Sequence, residues 1–447
     1  MISALLGLAL ALPVCGSIDL ETALALASAR NDAVSIRRAE QDVAVAEAAL
    51  ARALRIAPGS SMTLLFGPAP RAEGNVVSSP DSNRRPFYDV APFGRVDLEI
   101  VQPVFTWGRL DAMAEAADAG VEARSFLVRD ELARVQEGVV RLFWAEALAR
   151  RLLATLSDVE KALSEAQERV DRSLERSDGI AVPADRYRIA VFQGILRERA
   201  TSARRGLDLA RIGMAASLST SAEGLSLRSA ELEDRAPTLP GEGEATAAAE
   251  ERRNDLQALA RAIRSKEAEV RMEEAAALPQ FFVGAFLSYA YAPNRALQTN
   301  PWVHDYFNEL GAGIALGVRQ DLAIPALVAR AGKARAELAA LERRRDALRT
   351  LLRSEVASVL AEARAALERM EAARSTLSAG RSWFRAATLD FAADLAEGRD
   401  LVEAYAGYVE SQAAFAQATY EARVARAHLD LVTGALPVLS EPPCTLR

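Results

Sequence analysis

From Ala149 onward the apolar positions fall at steps of three and four: Ala149, Leu152, Leu156, Val159, Leu163, Ala166 and Val170. That spacing keeps one stripe of a helix apolar and predicts a helix lying along another. No proline occurs between Leu110 and Arg176. The stripe therefore belongs to one helix of about 67 residues, about 100 Å long at 1.5 Å per residue. A return helix is predicted after Pro183, with Asp185 in its first turn, ending near Ser217. The turn between them falls near Asp178-Gly179-Ile180. No single compact domain needs so long a rod.

Ahead of the rod the period changes. Ile18 to Ile56 reads as one helix, with Asp19 as N-cap and Pro58-Gly59 as its stop. Ser61 to Phe66 reads as a short strand, and Gly67 to Pro92, rich in Pro, Gly, Ser and Asn, as a long exposed loop. In Val96-Asp97-Leu98-Glu99-Ile100-Val101-Gln102 apolar and polar residues alternate, which predicts a strand with one greasy and one wet face.

The plan then repeats. Arg253-Asn254-Asp255 echoes Arg30-Asn31-Asp32. A helix is predicted from a Thr246 N-cap to Leu278-Pro279, strands at 280–287 and 310–320, and a long helix over about 326–393. Its seam is Leu348, Leu352, Val359, Ala363, Ala366, Met370, Ala373 and Leu377. A turn at Glu397-Gly398-Arg399 leads to a last helix, Asp400 to Val432, closed by Gly434 and Pro437. Gln102 and Gln320 are 218 residues apart, Gly179 and Gly398 219; so regular an offset marks an internal duplication. The expected organisation is a signal segment at 1–17, a first repeat at 18–218, a linker at 219–244, a second repeat at 245–436 and a tail at 437–447.

Four strands cannot close a barrel, and open edges are not allowed in lipid. Two-faced strands of this kind suit a membrane barrel shared between chains, and three chains would supply twelve. The fold class is therefore mainly α with β-strands: a long antiparallel coiled-coil helical barrel, plus four strands per chain contributing to a trimeric 12-stranded transmembrane β-barrel.

Composition narrows the function. Half the residues are apolar but only 6% are aromatic, which suits long Ala-rich helices rather than one thick core. A net charge of −7 argues against nucleic-acid binding. The apolar run Ala4–Val14 fits the core of a secretory signal. The alternative is lipidation at Cys15, because Leu12-Pro13-Val14-Cys15 has the Leu-x-x-Cys form seen in bacterial lipoproteins. Cys15 and Cys444 are the two cysteines, so no disulfide framework is expected. His304 and His428 lie far apart, without a metal-spaced neighbour. No phosphate-cradling glycine loop, nucleophile elbow or zinc signature occurs, so neither enzyme activity nor a cofactor is expected.

The chain resembles the TolC-like outer-membrane efflux family. The residues that carry the resemblance are Gln102-Pro103-Val104-Phe105-Thr106-Trp107-Gly108-Arg109, Leu278-Pro279-Gln280 before a strand, the duplicated Asn-Asp pair and the turn Gly179-Ile180-Ala181-Val182-Pro183-Ala184-Asp185. In the first, Gln102, Pro103, Phe105 and Gly108 match the family motif. The second half departs from its family form, reading Gln320-Asp321-Leu322-Ala323-Ile324-Pro325. The resemblance implies a trimeric exit duct of a tripartite efflux or type I secretion system, with its barrel in outer-membrane lipid and its helices in the periplasm. It implies docking to a periplasmic adaptor and an inner-membrane transporter at the turns, here Gly179, Ile180, Gly398 and Arg399. The family's acidic tunnel mouth would fall on Asp185, Asp400 and, with a one-residue gap, Glu403. Asp185 and Asp400 read equally as helix caps, and Glu403 as a solvated helix position. Trp107, Trp302, Tyr289, Tyr291 and Tyr306 lie near strand ends, where an interfacial aromatic belt would sit. The competing reading is a soluble coiled-coil scaffold of the periplasm, which has no use for the strands.

Overall fold

The structure, a computed structural model, describes residues 17–56, 59–71, 89–176, 182–222, 227, 236–297, 304–393 and 398–436. Residues 1–16 of the proposed signal segment, Cys15 among them, Gly179, Ile180, Trp302 and the 437–447 tail lie outside them. The chain divides into two compact units: Met1–Ala39, Ser125–Gln257 and Asp346–Arg447 form one, Glu40–Arg124 and Ala258–Arg345 the other.

Twelve elements follow one another among the described residues. They are α1 (Leu20–Arg30), α2 (Asp32–Ile56), β1 (Gly59–Pro70), β2 (Val90–Phe105), α3 (Arg109–Arg176), α4 (Pro183–Ser217), α5 (Glu242–Arg252), α6 (Asn254–Ala275), β3 (Gln280–Tyr291), β4 (Glu309–Arg319), α7 (Ile324–Ala392) and α8 (Gly398–Thr433). The order helix, helix, strand, strand, long helix, helix thus occurs twice.

In the first unit the expected seams are built. Leu156, Val159 and Leu163 of α3 bury against Leu196 and Ala203 of α4 and Val409 of α8. Ion pairs and amide bonds fix α4 antiparallel to α3: Arg186 to Asp171 at 3.1 Å, Gln193 to Gln167 at 2.8 Å and Arg211 to Glu146 at 3.4 Å. Glu146 is buried and also meets Arg150 one turn on, at 2.7 Å. Leu352, Val359, Ala363, Ala366 and Met370 are the buried face of α7.

Each repeat opens with two helices where one was expected. The chain breaks at Asn31, whose backbone turns extended. The Asn31 side chain accepts from the amides of Ala33 and Val34 and donates to the Ser217 carbonyl at 3.0 Å. A side chain that bonds its own backbone in this way competes with the helix ladder and starts a new helix instead. The second break falls at Arg253. Its guanidinium bonds Asp255 and is also paired with Glu355 of α7. The repeated Arg-Asn-Asp triplet is therefore one residue out of structural step. Asp19 does cap α1, accepting from the Thr22 amide at 2.9 Å. Thr246 caps nothing: α5 starts at Glu242 with Gly241 as N-cap, inside the expected linker, and Thr246 donates back to the Glu242 carbonyl.

The second unit holds one four-stranded sheet in the order β1-β2-β3-β4, antiparallel throughout. Its strands outrun the expectation. β1 runs to Pro70 and β2 starts at Val90, so both ends of the expected 67–92 loop are strand. Pro68 sits opposite Pro92, on an edge strand and beyond the β2–β3 ladder, which starts at Gly94. There a missing amide removes no ladder bond.

Candidate functional site

The register sorts the strand residues into two faces. On one lie Met62, Leu64 and Phe66, then Val96, Leu98 and Ile100, then Leu287 and Tyr289, then Leu310, Ile314, Leu316 and Val318. This face is greasy and open: Phe66, Ile314 and Leu316 are 82%, 81% and 83% exposed. Such residues in water would be an aggregation hazard, and a contiguous patch of them marks an interaction surface. At one end of the face Phe105 packs edge-on against Trp107 with ring centres 4.9 Å apart, and Phe281 lies 6.3 Å from Phe105. At the other end stand the exposed Tyr289 and Tyr291.

The opposite face is polar. Arg95 is its hub: it donates to Asp97 at 2.7 Å, Glu309 at 3.1 Å and Ser288 at 2.9 Å, and Ser288 donates to Asp97 at 2.7 Å. The Tyr306 ring covers the guanidinium at 4.4 Å. Tyr306 was expected in an interfacial belt; it belongs instead to this cluster, with Phe93 and Phe307, because a cation on this face attracts its ring. The β3–β4 connection is tied down at the same end. Arg295 donates to the Pro70 carbonyl, pairs with Asp305 at 3.1 Å and lies over Phe307. His304 stands exposed, 3.7 Å from Glu309.

The Gln102–Arg109 motif is a strand-to-helix junction. The β2–β3 register shifts between Pro103 and Phe105, a bulge where Pro103 costs no ladder bond. Trp107 and Gly108 then take positive φ, 55° and 77°, so the motif glycine serves a left-handed backbone. The Trp107 indole donates to the Pro279 carbonyl at 2.7 Å. The Gln102 amide donates to the Arg55 carbonyl at the end of α2. Gln320 does the same for Ala277 beyond α6, at 3.4 Å. Sequence reading found both glutamines by their offset but not this shared task.

At the helix turns the placements are plainer. Asp185 accepts from the Val182 amide at 3.1 Å and from Arg188 at 3.0 Å, closing the start of α4. Asp400 is exposed in the first turn of α8. Glu403 is exposed and paired with Arg399 one turn back at 3.1 Å. Gly398 and Arg399 were expected in a turn; they are instead the first residues of α8. Near them α7 and α8 meet through aromatics: Phe384 stacks on Tyr408 at 5.6 Å and Trp383 lies against Gly407. Tyr405 packs on the α3–α4 seam. Burial, then Asp158, pushes its hydroxyl up to about 12, so it stays neutral.

Among the described residues no cluster of His, Cys, Asp and Glu is arranged to hold a metal ion. No helix among them is long and apolar enough to cross a membrane.

The fold is that of outer-membrane channels. It matches a membrane protein from Pseudomonas aeruginosa with a TM-score of 0.73 at 16% identity, covering 93% of this chain and 92% of that one. It matches the outer membrane protein VceC from Vibrio cholerae at 0.71 and 15%, covering 93% and 96%. The open state of the MtrE outer membrane channel from Neisseria gonorrhoeae matches at 0.71 and 15%, covering 93% and 88%. No curated protein sequence matches the chain. Residues 245–435 match the family model for outer membrane efflux proteins. That match falls on the second repeat, and it agrees with the TolC-like resemblance read from the sequence.

Proposed function

We infer that this protein is the outer-membrane exit duct of a tripartite efflux or type I secretion system, a passive conduit with no chemistry of its own. The observation that carries the reading is the two-faced sheet. β1 and β4 each lack a partner on one side within the described chain, and an open edge is not tolerated in lipid. Three copies joined β1 to β4 give twelve strands with the greasy face outward and the Arg95 face inward. Dimensions support this. From Phe281 to Tyr291 β3 advances ten residues, about 34 Å at 3.4 Å each, or about 24 Å once tilted by about 45°. That is about the height of the apolar band of such barrels, and the aromatic groups stand at its two ends.

The helical part extends into the periplasm and meets an adaptor and an inner-membrane transporter. The docking turns are the α3–α4 turn, with Gly179 and Ile180, and the segment leading into Gly398 and Arg399. Asp185, Asp400 and Glu403 stand at the tunnel mouth, where rings of carboxylates favour cations. The bonds of Asp185 to Val182 and Arg188, and of Glu403 to Arg399, are compatible with that role. The test is membrane fractionation followed by the mass of the detergent-purified particle. A trimer in the outer membrane is the expected result. A soluble monomer or dimer would leave the strands uninserted and make the protein a periplasmic scaffold.

A further inference from the structure

All four glycines of β3 and β4, Gly284, Gly311, Gly313 and Gly317, lie on the polar face. They are seats for two phenylalanines. A methyl added at Gly313 would meet Phe286 ring carbons at 2.6 and 2.8 Å, and one at Gly317 would collide with the Phe282 ring. Methyls at Gly284 and Gly311 would touch the same two rings at 3.6 and 4.0 Å. The register agrees, with Phe286 opposite Gly313 and Phe282 opposite Gly317. Each ring therefore lies flat across the backbone of the next strand. The Arg319 guanidinium covers Phe282 at 5.3 Å and holds it down.

An interior phenylalanine opposite a residue with a Cβ has to stand up from the sheet. Three copies standing toward one axis would form an apolar collar. A glycine opposite lets the ring fold onto the backbone, as aromatic rescue does at sheet edges. Alternation alone would put a polar side chain at these inner positions, as at Asp97, Glu99 and Glu309 of the same face.

We propose that Gly313 and Gly317 keep the bore of the barrel clear, by seating Phe286 and Phe282 flat against the wall. This deepens the duct reading above and rests on it. Cargo of amphipathic character would slide over ring faces flanked by Glu99 and Arg319, without meeting a greasy constriction.

The test is access to a thiol placed past Phe286 as seen from the loop end. Ala315→Cys in the full-length protein on intact cells is exposed to membrane-impermeant maleimides, from a small sulfonated reagent to a polyethylene glycol maleimide. The unaltered chain, carrying only Cys15 and Cys444, sets the background. With Gly313 intact both reagents label. Gly313→Leu is expected to abolish labelling by the large reagent and spare the small one, and Phe286→Ala added to it is expected to restore the large one. Phe286→Ala alone is expected to leave the size cut-off unchanged, because a ring lying flat takes up little of the bore. An unchanged cut-off in Gly313→Leu overturns the proposal, and so does a marked widening in Phe286→Ala alone. If Gly313→Leu does not assemble, the Phe286→Ala arm decides. If even the small reagent fails at Ala315→Cys, the face is not a lumen, and the duct reading falls with the proposal.

Discussion

The two repeats close their last helices with the same hydrogen bonds and different residues. After α8 the amide of Ala435 reaches the Asp430 carbonyl and that of Gly434 the Leu431 carbonyl. After α4 the amide of Thr220 reaches Ala215 and that of Ser219 reaches Ala216. Both are Schellman closures, with Gly434 at φ 68° and Ser219 at φ 47°. The helix breaks differ in the same way, Asn31 working through its own backbone and Arg253 through carboxylates. The strand exits share a glutamine and little else, Trp107-Gly108 in one and Asp321 accepting from the Ala323 amide in the other. The lesson is that the two halves share the pattern of satisfied backbone groups, while the side chains that satisfy them differ. Unsatisfied helix ends are costly whatever residue covers them.

That comparison is easiest to break at the helix breaks. Arg253→Ala takes the guanidinium away from Asp255 and Glu355 in a half-buried setting and is expected to cost about 2 kcal/mol. Asn31→Ala loses a cap and is expected to cost about 1 kcal/mol. Thermal unfolding of the two variants side by side measures the ratio, and equal losses would mean that the breaks do not differ as described.

Next come the closures. Gly434→Ala forces a methyl to 2.9 Å from the Arg252 carbonyl group in a left-handed backbone, and about 2 kcal/mol of stability should be lost. Ser219→Gly runs the other way. It relieves the left-handed strain and removes a hydroxyl that is buried without a partner, so a gain of about 1 kcal/mol is expected. A loss in Ser219→Gly would show that the serine does something the backbone pattern does not explain.

Smaller still is the pair of glutamines. Gln102→Ala removes the bonds to the Arg55 and Pro103 carbonyls and Gln320→Ala the one to Ala277; each should lower stability by about 0.5–1 kcal/mol, additively, since the two junctions share no partner. Coupling between them in a double-variant melt would contradict two independent junctions.

The smallest effect is a pH dependence beside Arg253. Burial raises the Asp130 carboxyl, against Arg134, with Asp255 raising it further. A group whose folded pKa lies above its unfolded value binds its proton more tightly when folded. Stability is therefore gained as pH falls through the carboxylate range and is missing at neutral pH. Asp130→Asn should stabilise the protein slightly at neutral pH, and the gain should vanish in acid. Melting curves at the two pH values check the sign.

Much was legible in the sequence because it depends on local period and steric rule. The heptad seams at Leu156–Leu163 and Leu352–Met370, the ends of α3 and α4, the Asp19 cap and Gly434 all follow from spacing, capping chemistry and the permissiveness of glycine. So do the two faces of β2 and β4, since alternation fixes the face before any partner is known. The Gln102 motif was legible as a pattern, but its bulge and its reach to Arg55 were not. Both require another element to be in place.

Tertiary structure alone decided the rest. The strands lengthen through Pro68 and Pro92 because pairing outweighs propensity where no ladder amide is lost. Tyr306 leaves the expected belt because Arg95 offers its ring a cation. The repeated Asn-Asp slips by one residue because Arg253 finds Glu355 across on α7. Phe282 and Phe286 lie flat because the register sets glycines opposite them. In each case the deciding partner is remote in sequence, and a period read along the chain carries no information about what lies across from it.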